Sequence, residues 1–359
     1  MDTLCVHGAK DEGNVTGAIT IPIYQSATFS HPSVGISTGY DYSRLQNPTR
    51  EALEKTMAIL EGGACALAFS TGMAAAAVIM ELFCPGDHIV ASEDLYGGSV
   101  RLFNNVLAKN GVEVDYLYTG NIGSVRDRIR SNTKAVFVET PTNPMMQITD
   151  ISDIAKLCHK HNLLLIVDNT FFTPIYQQPL KLGADIVLHS GTKYLGGHND
   201  TLAGFLVTNR EELAERLRFL HKTIGACLAP WDSFLILRGI KTLAIRMERI
   251  TENASKISAW LERQSKIENV LYPGKSGMIS FVANSTETTR KILSGVKVIA
   301  YAESLGGVES LITYPILQTH ADVPVEKRES LGITDRLLRL SVGIENVEDL
   351  INDLKAAMS

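Results

Sequence analysis

Cysteine is scarce and scattered in this sequence. Five cysteines occur among 359 residues, and none belongs to a C-x-x-C pair. An odd number without that spacing predicts neither a disulfide framework nor a zinc site. An excess of positive charge is also missing, because the net charge is −5. We therefore expect no binding of nucleic acid.

Long apolar runs and targeting segments are missing too. The first residues, MDTLCVHGAKDEGN, lack the basic-then-apolar pattern of a secretory signal. No apolar run approaches the roughly 20 residues that span a bilayer. The composition, 45% hydrophobic and 20% charged, is typical of a globular protein. We expect a cytoplasmic protein that does not interact with membranes.

What is present is a regular alternation of short apolar runs with stretches of helical spacing. Seven runs are predicted to be strands, at residues 65–70, 88–92, 113–118, 135–140, 163–169, 184–190 and 203–208. Such strands predict an α/β fold with a mostly parallel seven-stranded sheet and helices on both faces. This domain would cover residues 49–223, after an irregular N-terminal arm at 1–48. Residues 224–359, which include a long helical run at 232–264, predict a smaller α+β domain.

Polar residues follow the predicted strands, at the edge where open α/β sheets bind ligands. In HSGTKYLGG, Lys193 follows a strand, with Ser190 and Thr192 before it and a glycine turn after it. Hydroxyls and backbone N–H groups in such a turn can hold a phosphate. A lysine amine beside that phosphate can form a Schiff base with an aldehyde. SGTK also matches the S-x-x-K of serine acyl-enzymes, but their S-D-N and K-T-G elements are absent.

Two further strand ends suggest a ligand. Ser70, Thr71 and Gly72 precede an alanine-rich helix, where they form either an ordinary cap or an anion site. No G-x-G-x-x-G or G-x-x-x-x-G-K-[ST] element is present, so a dinucleotide or nucleoside triphosphate is not the expected ligand. Asp168 closes an apolar run, where it could cap a helix or meet the protonated ring nitrogen of pyridoxal phosphate. Tyr96, in a glycine turn, could stack on such a ring.

Three other elements contain residues that could have a functional role. Arg339 lies inside the apolar run LLRLSVG and needs a partner, such as a substrate carboxylate. Cys158 and His161 fall in a predicted helix, so we assign them to packing or the surface and expect no metal site. His198 and Asp200 are expected to brace the loop of the reactive lysine.

Taken in order, these elements closely resemble the Cys/Met-metabolism family of pyridoxal-phosphate enzymes. These are fold-type-I transsulfuration enzymes, including cystathionine γ-synthase, γ-lyase and β-lyase. The resemblance covers nearly the whole chain, in the segments PIYQSATF, YDYSRLQNPTR, STGMAA, DLYGGS, ETPTNP, VDNTF, HSGTKYLGGHND, RGIKTL, AESLGGVESL and RLSVGIE. It implies pyridoxal 5'-phosphate as cofactor, small amino-acid substrates and a homotetramer.

The resemblance also implies roles for individual residues. Lys193 is similar to the Schiff-base lysine that later carries protons, and Tyr96 to the catalytic-site tyrosine that stacks on the ring. Asp168 would keep the ring nitrogen protonated, and Asn143 would lie near the ring hydroxyl and the substrate. Four residues would hold the cofactor phosphate: Gly72, Met73, Ser190 and Thr192.

Further implied roles concern the subunits and the substrate. Tyr42 and Arg44, on the arm, would complete the phosphate site of a neighbouring subunit, so the active unit would be at least a dimer. Arg339 would bind the substrate carboxylate, with Ser304 close to the reactive lysine. Glu303 resembles the glutamate that γ-acting cystathionine enzymes present to the distal amino group, which favours γ-replacement or γ-elimination.

Several alternatives stay open at this point. They include cystathionine β-lyase, O-acylhomoserine sulfhydrylase and methionine γ-lyase, although methionine γ-lyases carry a cysteine where Gly98 stands here. Only Lys275 and Ser276 separate LYPG from GMISF, whereas relatives have a longer segment that helps shape the substrate entrance. A non-catalytic protein that binds pyridoxal phosphate would have a damaged lysine, aspartate or phosphate site, and none is visible.

Overall fold

The structure, a computed structural model, describes residues 1–9, 16–321 and 323–359. Part of the predicted arm, residues 10–15, therefore lies outside the described residues. The strands are β1 (Cys65–Phe69), β2 (His88–Ser92), β3 (Glu113–Leu117), β4 (Thr133–Glu139), β5 (Leu164–Asp168), β6 (Ile186–Ser190), β7 (Gly204–Thr208), β8 (Ile267–Leu271), β9 (Met278–Ala283), β10 (Ala300–Tyr301), β11 (Leu311–Thr313) and β12 (Leu337–Ser341).

Helices cover both sheets. They are α1 (Asp2–His7), α2 (Pro48–Glu61), α3 (Gly72–Met80), α4 (Gly97–Leu102), α5 (Ile122–Arg128), α6 (Ile151–Lys160), α7 (Thr173–Tyr176), α8 (Glu211–Ile224), α9 (Pro230–Ile240), α10 (Leu243–Leu261), α11 (Thr286–Gly295), α12 (Val325–Ser330) and α13 (Val347–Met358). Among the described residues, no helix has both the length and the hydropathy of a membrane-spanning segment.

The larger sheet has seven strands in the order β1-β7-β6-β5-β4-β2-β3. Strands β2 to β6 run parallel to one another, whereas β7 is antiparallel to both β6 and β1. Each of the seven predicted runs forms one strand, so the predicted α/β class with a mostly parallel sheet is confirmed. Because parallel strands end at one edge, the polar residues that follow them are brought together there.

Helices cover both faces of the larger sheet, and alternate side chains of each strand pack against opposite faces. In β4, Val136 and Val138 contribute to one apolar core, together with side chains of α2 and α6. Ala135 and Phe137 contribute to the opposite core, together with side chains of α3 and α8. Successive side chains of a strand point to opposite faces, so a strand covered on both sides needs a continuous apolar run.

A smaller sheet of five strands follows, in the order β10-β11-β12-β9-β8. In β12, Leu338 and Leu340 pack into a core with α10, α11 and α13. Arg339 lies between them and therefore points to the other face of the sheet, toward the larger domain. The division of the chain at residues 48/49 and 223/224 stays a prediction.

Two details differ from the sequence-based expectation. The helical run at 232–264 is two helices, α9 and α10, and the break lies at residues 241–242. There the guanidinium of Arg246 donates to the carbonyls of Gly239 (2.8 Å) and Tyr194 (2.7 Å), so a distant contact stabilises the helix end. The arm, predicted as irregular, begins with α1, whose Cys5 is buried in the main core.

Candidate active site

A cavity of about 440 Å³ lies where the carboxyl ends of β4, β5 and β6 face the smaller domain. Eleven of the thirteen predicted site residues line it. They are Gly72, Met73, Tyr96, Asn143, Asp168, Ser190, Thr192, Lys193, Glu303, Ser304 and Arg339. The strand ends of the larger sheet supply most of the first eight residues, and the smaller domain supplies Glu303, Ser304 and Arg339.

Lys193 lies in the turn after β6 and points into this cavity. Its Nζ donates a hydrogen bond to the Ser304 hydroxyl at 3.1 Å. Burial and, to a smaller extent, the charge of Arg339 lower the pKa of Lys193 to about 8, although Glu303 opposes the change. An appreciable fraction of this amine is therefore neutral, and nucleophilic, near neutral pH.

One corner of the cavity is suited to an anion. Thr71 caps α3 by accepting a hydrogen bond from Ala74 N–H at 2.9 Å, as the ordinary-cap alternative predicted. The N–H groups of Gly72 and Met73, in the first turn, have no partner within the helix, and both residues line the cavity. A Cβ at position 72 would lie 3.1 Å from the Cβ of Ser190, so Gly72 and Ser190 approach each other closely in this corner. Cap and anion site are therefore compatible.

Asp168 presents its carboxylate to the side of the cavity opposite the corner formed by α3. Its Oδ1 accepts hydrogen bonds from the backbone N–H (3.0 Å) and the hydroxyl (2.6 Å) of Thr170. No lysine, arginine or histidine lies within ion-pair distance of it in the described part of the chain. Burial therefore raises the pKa of Asp168. A cationic ligand group at this position would stabilise the charged form.

Tyr96 precedes α4 and lines the same cavity, with 41% of its surface exposed. Its backbone N–H donates to Oε2 of Glu139 at 2.9 Å. A Cβ on Gly98 would lie 2.5 Å from the Tyr96 ring, so the ring packs directly on the glycine backbone. The cysteine that methionine γ-lyases carry here would require this ring to move.

Arg339 is 1% exposed and makes three hydrogen bonds from its terminal nitrogens. The acceptors are Asn143 Oδ1 (3.0 Å), the Ser304 carbonyl (2.8 Å) and Thr313 Oγ1 (3.1 Å). Its Nε has no partner. Burial lowers its pKa to about 10. No carboxylate in the described ranges comes within 4 Å, so the guanidinium is a buried cation that faces a cavity without a counter-ion.

Tyr42 and Arg44 do not line the cavity. Arg44 Nη1 donates to the carbonyl of Lys222 at 2.5 Å, and its guanidinium lies 5.6 Å from the centre of the Tyr42 ring. His198 Nδ1 donates a hydrogen bond to the Gly196 carbonyl at 2.7 Å, a contact within the loop that follows Lys193.

The helix α6 contains the cysteine of CHKH, Cys158, which is buried in the core, whereas His161 is exposed. Asp200 is exposed too. In the residues that the structure describes, no cluster of three or more His, Cys, Asp or Glu side chains could hold a metal ion.

The cavity residues that were not predicted include three with polar or charged side chains next to the predicted ones: Arg101, Glu139 and Thr170. Glu139 and Thr170 belong to quoted segments, ETPTNP and VDNTF, and directly close or follow strands. The rule that selected Asp168 would also have selected Glu139, the residue that ends β4. Arg101 lies one turn into α4, where nothing in the sequence indicates which face borders the cavity.

Comparison with known proteins gives these features a context. A family model described as "Cys/Met metabolism PLP-dependent enzyme" matches residues 2–359. The chain belongs to this family. The resemblance stated from the sequence and the pyridoxal-phosphate dependence it implied are thereby confirmed.

Individual members are similar over their whole length. Cystathionine gamma-synthase/O-acetylhomoserine (thiol)-lyase of Bacillus subtilis (strain 168) is 54% identical over 344 residues, 96% of this chain and 92% of that protein. Cystathionine gamma-lyase of the same organism is 48% identical over 372 positions, covering 99% and 98%. The crystal structure of cystathionine gamma-lyase from Lactobacillus plantarum complexed with L-serine has a TM-score of 0.97 at 42% identity, covering 99% and 97%. The 372 aligned positions exceed this chain's length, so that relative has residues without a counterpart here.

The cavity fits the family's cofactor. Pyridoxal phosphate carries a phosphate, a basic ring nitrogen and an aldehyde on a flat ring. The cavity offers partners for each: unpaired N–H groups at α3, the carboxylate of Asp168 and the amine of Lys193. The hydroxyl of Ser190 lies against Gly72 in the same corner, whereas the Thr192 hydroxyl is bonded to the backbone of Ala203.

Proposed function

We propose that this chain acts at the γ-carbon of homoserine-derived or sulfur amino acids, as an enzyme of the cystathionine γ-synthase/γ-lyase type. One observation carries the proposal: a buried guanidinium without a counter-ion, Arg339, borders the same cavity as Lys193 and the exposed carboxylate of Glu303. The first attracts an α-carboxylate, and the last a distal ammonium. The names of the two Bacillus subtilis relatives support the same chemistry.

The cofactor site follows from the same cavity. Four residues would hold the phosphate (Gly72, Met73, Ser190 and Thr192), Tyr96 would stack on the ring, and Asp168 would meet the ring nitrogen. When bound, pyridoxal phosphate supplies an electron sink for bond breaking at the α-carbon of the amino acid. Asp168 maintains that capacity because its carboxylate stabilises the protonated ring nitrogen.

The protein's own proton transfers centre on Lys193. The Nζ of Lys193, part of which is neutral near neutral pH because its pKa is about 8, would accept the α-proton of the bound substrate. Ser304, bonded to Nζ at 3.1 Å, directs that amine. Arg339 fixes the substrate carboxylate, so the α- and β-protons lie within reach of one base. Loss of the β-proton lets the γ-substituent leave, and a thiol or water then completes replacement or elimination.

The product of L-cystathionine cleavage tests the site of bond breaking. We expect 2-oxobutyrate, ammonia and cysteine, identified by chromatography after incubation with the purified holoenzyme. Pyruvate, ammonia and homocysteine would instead mean cleavage at the β-carbon and would refute the γ-assignment. Adding O-acetylhomoserine and cysteine tests γ-replacement, for which cystathionine is the expected product.

The reactive lysine has a natural control within the chain. SNTK, at residues 131–134, has the same spacing as SGTK, but Lys134 is exposed at the start of β4. We expect Lys193→Ala to lose the yellow colour of the holoenzyme and Lys134→Ala to keep it. A Lys193→Ala protein with an unchanged visible spectrum would refute the lysine assignment.

Glu303 is tested by comparing two substrates. Glu303→Gln should raise KM for cystathionine, which has a distal ammonium, by up to about fivefold, because one exposed charge pair of at most about 1 kcal/mol is lost. For O-acetylhomoserine, which lacks that group, KM should change much less. Equal changes for both substrates would exclude this role of Glu303.

We further infer that the active unit contains at least two copies of the chain and that the full assembly is a homotetramer. The arm is the basis: Val34 and Ile36 are 103% and 57% exposed, and Tyr42 and Arg44 lie outside their own chain's cavity. Mixing Arg44→Ala with Lys193→Ala should restore activity if each site uses both chains. No recovery after verified subunit exchange would refute sharing, and sedimentation measures the assembly.

A further inference from the structure

Glu139 is a cavity residue for which the proposed chemistry has no use so far. It ends β4, is 5% exposed and borders the cavity. In the sheet it pairs in register with Asp168, the last residue of β5. Its backbone N–H donates to Ser92 Oγ at 3.3 Å, which links it to the end of β2 as well. Glu139 therefore joins three neighbouring strand ends.

The side chain of Glu139 forms hydrogen bonds with the backbone of two residues of the cavity wall, Tyr96 and Asn143. Oε2 accepts the backbone N–H of Tyr96 at 2.9 Å. Tyr96 immediately precedes α4, and no side-chain hydrogen bond caps that helix. On its other side the Tyr96 ring packs against Gly98. The Glu139 carboxylate is thus the polar contact that fixes the Tyr96 backbone.

Stability alone is a poor reason for a carboxylate at this position. No cationic side chain lies within 4 Å of Glu139 in residues 1–9, 16–321 and 323–359. Burial, and then the charge of Asp168, raise its pKa well above the usual value. Two acidic groups side by side in an apolar setting cost folding free energy unless a ligand or a hydrogen-bond network uses them.

We propose that Glu139 is a positioning residue for the cofactor ring. By holding the Tyr96 amide while its strand is paired with that of Asp168, it fixes the distance between the ring-stacking side chain and the carboxylate at the ring nitrogen. This inference rests on the proposed function, because it uses the roles of Tyr96 and Asp168 given there.

Cofactor binding, rather than turnover, tests the idea. Glu139→Met fills the space without an acceptor, whereas Glu139→Gln keeps a carbonyl oxygen for the Tyr96 N–H. We expect Glu139→Met to weaken the affinity for pyridoxal phosphate about tenfold, the effect of losing about 1.4 kcal/mol. The near-UV circular dichroism of the bound cofactor should change with it. Glu139→Gln should stay within about threefold of the parent protein with an unchanged spectrum.

Glu54 provides a matched control. It is a largely buried glutamate that accepts a backbone N–H, that of Ala68, at 2.9 Å, but it does not border the cavity. Glu54→Gln and Glu54→Met should lower the free energy of unfolding without changing cofactor affinity or the dichroism. If they weaken the cofactor as much as Glu139→Met does, general destabilisation explains the effect and the proposal is wrong.

Two other results would overturn the inference. One is a Glu139→Met protein that binds the cofactor with parental affinity and dichroism. The other is a Glu139→Gln protein as weak as Glu139→Met, since the retained acceptor would then not matter. Should Glu139→Met not fold, Glu139→Leu replaces it. Failure of the proposed function is distinguishable, because the parent protein would then release pyruvate from cystathionine or fail to cleave it, whereas the Glu139 test measures only cofactor affinity and dichroism.

Discussion

Replacing Arg339 by methionine distinguishes two quantities: the free energy needed to bury the guanidinium, and the contribution of the guanidinium to substrate binding. Methionine has a similar length, fills the same space and carries no charge. In the parent protein the guanidinium is charged at every pH below about 10, which includes all practical assay conditions. The substitution therefore removes a buried charge and three hydrogen bonds together.

The two effects on stability nearly cancel. Burial lowers the pKa of Arg339 to about 10; at ~1.4 kcal/mol for each unit below its usual value, keeping it charged costs about 3 kcal/mol. The hydrogen bonds to Asn143, Ser304 and Thr313 contribute about 1–1.5 kcal/mol each. We therefore expect the free energy of unfolding of the cofactor-free protein to change by less than about 2 kcal/mol.

Substrate binding should change far more. A two-pronged, charge-assisted contact with a carboxylate contributes about 3–6 kcal/mol. Losing it should lower kcat/KM for cystathionine at least about a hundredfold, mainly through KM. Denaturant titration gives the stability and steady-state kinetics gives the second quantity.

Arg246 is the matched control for this experiment. It is also a buried guanidinium with three hydrogen bonds, to Tyr194, Gly239 and Thr242, but it does not line the cavity. Burial lowers the pKa of Arg246 to about 10 as well, so Arg246→Met should change the free energy of unfolding by a similarly small amount, with little change in KM. If Arg339→Met folds normally and its KM is unchanged, Arg339 does not bind the carboxylate. A loss of stability above about 4 kcal/mol would show that our balance of burial and bonding is wrong.

Three further predictions concern the cofactor. In the cofactor-free protein, Lys193 loses its proton as pH rises through about 8. The rate of pyridoxal-phosphate capture should therefore rise about tenfold per pH unit below 8 and level off above it. A rise that continues to pH 10 would contradict the lowered pKa. Asp168→Asn should retain the cofactor but lower kcat at least about a hundredfold, because a neutral amide does not stabilise the protonated ring nitrogen; an unchanged kcat in a steady-state assay would count against this role. Gly98→Ala places a methyl group 2.5 Å from the Tyr96 ring and should weaken cofactor binding about tenfold in a fluorescence titration, by about 1–2 kcal/mol of displacement cost; parental affinity would mean that the ring tolerates the shift.

The sheet could be predicted because its strands are apolar on both faces and bounded by turn residues. The predicted runs at 135–140 and 163–169 correspond to β4 (Thr133–Glu139) and β5 (Leu164–Asp168), with ends that differ by one or two residues. The break between α9 and α10 could not be predicted from periodicity. It depends on Arg246 reaching the carbonyl of Tyr194, which is 52 residues away in sequence.

The site was predictable to the extent that strand ends define it. Ser190 and Asp168 are selected by that rule, and they do line the cavity. The contribution of the smaller domain depends on how two sheets face each other, which no local pattern encodes. Arg339 could be predicted as a site residue only because an arginine inside an apolar strand is unusual and requires a partner.

The charges that the fold leaves unpaired describe the ligands of this cavity better than any single motif does. Among the described residues, Arg339 is a buried cation with no carboxylate within 4 Å, and Asp168 and Glu139 are acids with no cation within that distance, whose pKa values burial raises. Each of these groups costs free energy when it is buried in its charged form without a partner. The two proposed ligands would offset that cost: a substrate with a carboxylate for Arg339, and a ring whose protonated nitrogen would meet Asp168. The arrangement therefore stores part of the binding free energy of both ligands in the unliganded protein, and it explains why neutral substitutions at Arg339 should affect binding far more than stability.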